Sequence, residues 1–173
     1  MKLKVLASVV SLLICGCALG QEPSQQPPAT QPPAQQQPST TPPSPAAEAA
    51  VYEAVALYQI KSWTLGGHAY CFRVKGQDAD KAFLQKLKPY PVLPESDCTQ
   101  RNNKNYTTTV IDKRSKKSAV MFGLGNIFWT SPTEAAVQGS YMCGNQCMSG
   151  GLYHVVLDGG TWKVTKFEVR LSQ

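Results

Sequence analysis

The chain has 173 residues, 42% of them hydrophobic, with a formal net charge of +6 and six cysteines. This length is typical of a single domain. The positive charge is local, because residues 101–117 hold six Lys and Arg residues against Asp112 alone. A local charge excludes a uniformly basic protein of the kind that coats nucleic acid, so we expect no nucleic-acid partner.

Residues 1–20 have the composition of an export signal. Two lysines precede an apolar run at residues 5–14, which suits a signal peptide and is too short for a membrane-spanning helix of about twenty residues. Residues 14–17 resemble a bacterial lipobox, in which Cys17 is lipidated and anchors the protein in the cell envelope. We expect this anchored lipoprotein. Cleavage after Gly20 is the alternative and gives a soluble periplasmic or secreted protein.

Residues 21–47 consist almost wholly of Gln, Pro, Ser, Thr and Ala and contain nine of the thirteen prolines. They contain no aromatic or large aliphatic side chain, so they cannot bury enough apolar surface to offset the entropy of ordering. We therefore predict a disordered spacer with polyproline II character, at most roughly 80 Å long. The remaining residues, 48–173, have a common size for one domain with a single core.

Four cysteines follow the signal: Cys71, Cys98, Cys143 and Cys147. An even number in an exported protein predicts two disulfides, and of the three pairings we expect Cys71–Cys98 and Cys143–Cys147. The loop-entropy model assigns them about 3.5 and about 2 kcal/mol of stability. The alternative is a zinc site formed by His68, Cys71, Cys143 and Cys147. Its C-x3-C spacing is unusual for zinc, and it leaves Cys98 without a partner. We therefore expect no metal and no cofactor.

Two helices are predicted near the start of the domain. Ser44 and the following proline form a helix start, and an apolar stripe continues to about Trp63. A strand follows at 70–74, and Asp78 is the predicted cap of a second helix. Residues 91–105 contain two prolines and are predicted to be a loop. The stripe of the first helix consists of Val51, Ala54, Val55, Leu57 and Tyr58.

The rest of the chain is predicted to be antiparallel sheet. Gly159-Gly160 predicts a two-residue hairpin, the glycines at 123 and 125 predict a bend, and a change of apolar parity predicts a bulge near Thr165. The fold class is therefore α+β, with two N-terminal helices packed on a curved antiparallel sheet of about five strands. The predicted strands are 106–112, 119–130, 133–142, 152–158 and 161–171.

The order of elements and the closing hairpin resemble the nuclear transport factor two-like fold. In that hairpin Tyr153 precedes the Gly159-Gly160 turn and Trp162 follows it. The resemblance implies a curved sheet wrapped around helices, often with a conical pocket for a small ligand or an active site. It does not imply one activity, because such folds host many functions. The candidate pocket residues are Phe128, Tyr141, Tyr153 and His154.

No nucleophile, phosphate-loop or metalloprotease motif occurs in the sequence. We therefore expect a non-catalytic binding or scaffold module, whose partner the sequence does not name. A small hydrolase or isomerase with an internal pocket is the alternative, and His154 is its first candidate residue. An anionic surface is a candidate contact for four basic residues of one predicted turn: Lys113, Arg114, Lys116 and Lys117.

Overall fold

A computed structural model describes residues 43–64, 68–102 and 107–172. The predicted export signal, the candidate lipidation residue Cys17 and all but the last few residues of the predicted spacer lie outside the described residues. Within the described part, no helix is both long and apolar enough to cross a membrane.

One long helix, α1, spans Pro45–Ser62. Its start is the predicted one: the Ala47 N–H donates to Ser44 Oγ at 3.2 Å, which satisfies one of the free N–H groups of the first turn. Its buried face is rotated from the predicted stripe, so that Tyr58 is 37% exposed. That face consists of Val51, Tyr52, Val55, Ala56, Gln59 and Ile60.

The second helix, α2, is a short segment, Lys81–Lys86. Its cap is Asp80, whose Oδ1 accepts the Phe83 N–H at 2.7 Å, and not Asp78 as predicted. The Asp78 carboxylate instead accepts the Ser96 N–H at 2.8 Å. No residue of α2 is fully buried, but Phe83 and Leu84 are partly buried and pack against the core.

Nine strands were assigned in the described residues, with a 3-10 turn at Glu95–Asp97 between the third and the fourth. They are β1 (Ala69–Val74), β2 (Gln77–Asp78), β3 (Val92–Pro94), β4 (Cys98–Asn102), β5 (Thr108–Asp112), β6 (Ala119–Ser131), β7 (Glu134–Gly144), β8 (Cys147–Asp158) and β9 (Thr161–Ser172).

The strands form one mixed sheet. β6, β7, β8 and β9 follow one another as antiparallel neighbours. β1 lies parallel to β6, and its other edge pairs with β3 in parallel and with β2 antiparallel. β4 and β5 form a hairpin that joins the sheet where Thr109 pairs with Gly144.

The predicted fold, two helices on about five antiparallel strands in the nuclear transport factor two-like layout, is wrong. The structure has one main helix and a nine-stranded mixed sheet. The loop prediction is wrong for residues 92–102, which form β3, the 3-10 turn and β4, while residues 103–105 lie outside the described residues. The prolines suggested a loop, but Pro94 lies in β3, which pairs only with β1 among the described strands, and such an edge strand tolerates a missing N–H. The parallel pairs join segments that are far apart in sequence, and no local periodicity reports such pairing.

The predicted local features of the sheet are confirmed. Gly159 and Gly160 have φ angles of +56° and +77°, as the tight hairpin turn requires. The register of β8 and β9 shifts at the predicted bulge, since His154 pairs with Lys166 and Val155 with Val164. A second register shift lies in β6 between Leu124 and Ile127, a segment that contains Gly125.

The two faces of the sheet carry separate cores. The inner face packs against α1 and contains the larger hydrophobic cluster, with Phe72, Phe122 and Leu124 fully buried. The outer face is covered at one end by the β4–β5 hairpin. A smaller cluster lies there: Ala69, Cys71, Cys98, Val110 and Ala119.

Two disulfides are present, Cys71–Cys98 and Cys143–Cys147, and the pairing is the one chosen from the sequence. Both bonds indicate that the domain matures outside the reducing cytoplasm. Three of the four ligands of the zinc alternative are bonded in these disulfides, and zinc binds the thiolate form of cysteine.

Candidate ligand-binding cleft

A cleft of about 210 Å³ opens between the C-terminal half of α1 and the inner face of the sheet. None of the described residues that line it is charged. Gln59 lies in the last turn of α1 and Trp63 is the residue that caps its C-terminus, so both side chains reach the same part of the sheet. We call this site the aromatic cleft because of six of its residues: Tyr58, Trp63, Phe122, Tyr141, Tyr153 and Phe167.

The aromatic rings of the cleft form two groups. Trp63 contacts Tyr141 and Phe122 edge to face, with ring centroids 5.2 and 6.0 Å apart. Tyr153 stacks on Phe167 at 4.3 Å and meets Tyr58 edge to face at 5.8 Å. Each contact adds about 0.5–1.5 kcal/mol to the burial of its rings, so these contacts stabilise the walls of the cleft.

Gln59 is a polar residue within the buried face of α1, and it is 3% exposed. Its Nε2 donates to the Ser140 carbonyl and to Tyr153 Oη, both at 3.3 Å. A carbonyl oxygen only accepts hydrogen bonds, so the amide nitrogen must face Ser140. Gln59 Oε1 is then left without a partner, and it is the one buried side-chain polar atom of the described residues in that state. An unsatisfied buried acceptor costs about 1–3 kcal/mol.

Gly139 makes room for these side chains. A Cβ atom at this position would lie 2.3 Å from Tyr153 Cε2 and 3.4 Å from Gln59 Nε2. The first distance is far below van der Waals contact, and the ring is fixed by its stack on Phe167. Only glycine at position 139 therefore leaves enough room for the observed positions of Gln59 and Tyr153.

The cleft is electrically neutral at neutral pH. Burial raises the pKa of Tyr153 to about 12, and the hydrogen bond from Gln59 offsets only part of that effect. The phenol therefore stays protonated and can donate as well as accept. A charged ligand would lose hydration without meeting an opposite charge, so the cleft favours an uncharged one.

The structure brings together two of the four candidate pocket residues. Tyr141 and Tyr153 line the aromatic cleft, whereas Phe128 lies outside it and is 49% exposed. His154 lies on the outer face, where its side chain is 39% exposed and Nε2 is 3.3 Å from Glu168 Oε2. This contact, followed by the charge of Arg170, lowers the pKa of Glu168.

Sequence reasoning missed Gln59 and Trp63. Gln59 follows Val51 and Val55 at the four-residue spacing of a helix face, so a polar residue in that stripe was the available signal. Trp63 was assigned as a helix end and not as a wall of the cleft, because the sequence does not show which strands face it.

The basic turn lies between β5 and β6 and is an ordered structure. The Asp112 carboxylate accepts the N–H groups of Arg114 and Ser115 at 2.8 and 3.2 Å. The hydrogen bond with the Ser115 hydroxyl is the largest of the effects that lower the pKa of Asp112. Lys113 Nζ donates to the Ser96 carbonyl at 2.6 Å, while Lys116 and Lys117 are exposed.

No protein-family model, curated protein or solved structure matches the chain. The resemblance to the nuclear transport factor two-like family stays a prediction, and the function has to be argued from the site itself.

Proposed function

We propose that this protein is an exported, non-catalytic module that binds a small uncharged organic ligand in the aromatic cleft. The observation that carries the proposal is Gln59 Oε1, a buried acceptor without a partner in a residue that lines the cleft. A ligand that donates an O–H or N–H to this atom recovers the free energy that the free protein loses there.

The dimensions and chemistry of the cleft define the ligand class. Its volume of about 210 Å³ is below the roughly 300–1,000 Å³ of drug-sized sites, so the ligand is a fragment-sized molecule. The aromatic walls favour a flat or apolar body, and the Tyr153 phenol offers a second polar contact. Oε1 exposes less than 1 Å² to solvent. The ligand therefore reaches it through a side-chain shift at the rim, where Tyr58 is 37% exposed.

An enzyme of the hydrolase or isomerase type receives no support from the geometry. Acid/base catalysis uses an ionisable group that is desolvated near the substrate and has a pKa close to the working pH. His154, the first candidate, is part-exposed on the outer face, away from the cleft. Tyr153 is buried, but a pKa of about 12 makes it a poor proton donor at neutral pH.

The proposal includes an envelope anchor. Lipidation of Cys17 would hold the domain at a membrane, and the spacer 21–47 would set its distance from that membrane. The side chains of Arg114, Lys116 and Lys117 would contact an anionic surface, and each would add about 1 kcal/mol to the binding free energy. Mass spectrometry of the exported protein tests this directly. An acylated Cys17 at the N-terminus supports the anchor, and a chain that begins at Gln21 contradicts it.

A fragment screen by NMR tests the ligand-binding proposal. We expect uncharged aromatic fragments with an O–H or N–H group to shift the signals of Gln59, Trp63 and Tyr141. Gln59→Met keeps the size of the side chain and removes both polar atoms, so it should weaken the best hits at least tenfold. Gln138→Met is the matched control, because Gln138 is exposed on the outer face and its replacement should leave Kd unchanged. Equal affinity in wild type and Gln59→Met contradicts the proposal.

A further inference from the structure

The chain contains four methionines, and the three that the structure describes are neighbours on the outer face. Met121 of β6 pairs with Met142 of β7, and Met142 pairs with Met148 of β8. Directly paired residues of adjacent antiparallel strands point to the same side, with Cβ atoms about 4.5–5.5 Å apart. The three thioethers therefore form one row across three strands.

The row lines an open cleft on the outer face. All three methionines contribute to a cavity of about 550 Å³, and each is partly exposed. Met121 and Met142 also pack against the small cluster around the Cys71–Cys98 disulfide. Their side chains are thus supported from the hairpin side, while Met148 lies at the other end of the row.

The other groups of this cleft do not suit a hard metal ion. Among the described residues, the one carboxylate that lines it belongs to Glu95, which is paired with Arg73 at 3.6 Å. No histidine of the described part lines the cleft, and the nearby cysteines are disulfide-bonded. Thioether sulfur remains as the available ligand, and it selects soft cations such as Cu(I).

We propose that Met121, Met142 and Met148 form a binding site for a soft monovalent cation, Cu(I) or its analogue Ag(I). Met142 lies between the other two in the row. The side chains of Met121 and Met148 therefore need only bend toward it for all three sulfur atoms to contact one ion. Methionine has three rotatable bonds and a polarisable sulfur, which make that movement easy. In an oxidising compartment free thiols form disulfides, whereas thioethers keep their affinity for soft metals. The site lies on the face opposite the aromatic cleft and does not depend on it.

Titration with Ag(I) in chloride-free buffer tests the proposal, together with Cu(I) competition against bicinchoninate under ascorbate. The full chain carries Cys15→Ser and Cys17→Ser, so that these two thiols do not compete for the metal. We expect one ion per chain. Met148→Leu should weaken binding at least tenfold, and replacement of all three methionines by leucine should abolish it. His154→Gln and His68→Gln are the controls and should leave the affinity unchanged.

A second measurement separates a metal site from apolar packing. Leucine has nearly the volume of methionine, so the leucine variants should keep the wild-type thermal unfolding curve while losing the metal. In ¹³C-methyl-methionine NMR, Ag(I) should shift the three internal methyl signals and leave that of Met1 in place. Absence of binding to the intact chain, a shift of Met1 alone, or equal affinity in the triple leucine variant overturns the proposal.

Discussion

The inner and outer faces of the same sheet are stabilised in different ways. The inner face, covered by α1, carries a cluster of sixteen buried residues. The outer face carries a cluster of five, and two of these are the bonded pair Cys71 and Cys98. A five-residue cluster buries too little apolar surface to hold a hairpin in place by itself. The comparison indicates that apolar burial stabilises the inner face and that a covalent bond stabilises the outer one.

The two faces also differ in the chemistry they offer. The aromatic cleft of the inner face is neutral and contains one unsatisfied acceptor, Gln59 Oε1. The outer cleft is larger and contains thioethers and an Arg73–Glu95 pair. Because side chains alternate between the faces of a strand, the side chains of Phe122 and Met121 lie on opposite faces of the sheet although the residues are adjacent in sequence.

The largest expected effect is that of Phe122→Ala on the inner face. The Phe122 ring is 2% exposed and contacts the rings of Phe72, Tyr70 and Trp63. Its removal should lower the free energy of unfolding by about 4 kcal/mol, through lost burial and a residual cavity. Phe128→Ala is the matched control. Phe128 is 49% exposed, so we expect a loss of about 1 kcal/mol or less. Urea unfolding of both variants measures the difference, and similar losses contradict the assignment of the inner core.

Removal of the outer disulfide by Cys71→Ala with Cys98→Ala should have the next largest effect. The bond closes a loop with a sequence separation of 27, and the loop-entropy model assigns it about 3.5 kcal/mol. We expect amide exchange to accelerate first in β4 and β5, since their attachment to the sheet depends on this bond. Uniform acceleration across the inner core would show that the outer face is not a separately stabilised region.

The sequence predicted the parts of this fold that have local signals. The cap at Ser44, the turn at Gly159-Gly160, the bulge at Thr165 and the disulfides all depend on residue type at fixed spacing. The parallel pairing of β1 with β6 has no such signal, because it joins segments about fifty residues apart and leaves no periodic trace. For the candidate site, Tyr141 and Tyr153 were identified as aromatic strand residues. Gln59 was missed because the burial of a polar side chain is decided by tertiary packing.

The titration of Tyr153 is a smaller test of the inner face. Its pKa is raised from 10.0 to about 12, mainly by burial. The folded state therefore favours the neutral phenol, so this contribution to stability is present below pH 10 and is lost as the pH rises through 12. Two pKa units correspond to about 2.7 kcal/mol. In Tyr153→Phe the alkaline loss of stability should shrink by about this amount, as measured by urea unfolding at pH 9 and pH 12. Tyr58→Phe, at the exposed rim, is the control and should retain most of the loss, because burial raises the pKa of Tyr153 more than the charge of Tyr58 does.

The smallest expected effect belongs to the Cys143–Cys147 disulfide at the turn between β7 and β8. It spans a sequence separation of 4, for which the loop-entropy model gives about 2 kcal/mol. The bond lies next to the attachment of the outer hairpin, where Thr109 pairs with Gly144 and the Thr108 N–H donates to Asn145 Oδ1 at 3.1 Å.

Loss of this bond in Cys143→Ser with Cys147→Ser should therefore loosen β5 as well as the turn. A double-mutant cycle with the Cys71 and Cys98 substitutions decides whether the two bonds cooperate. If both hold the same hairpin, the second loss should be smaller than the first, with a coupling free energy above about 0.5 kcal/mol. Strict additivity would show that the hairpin depends on Cys71–Cys98 alone, and the outer face would then be held at one point instead of two.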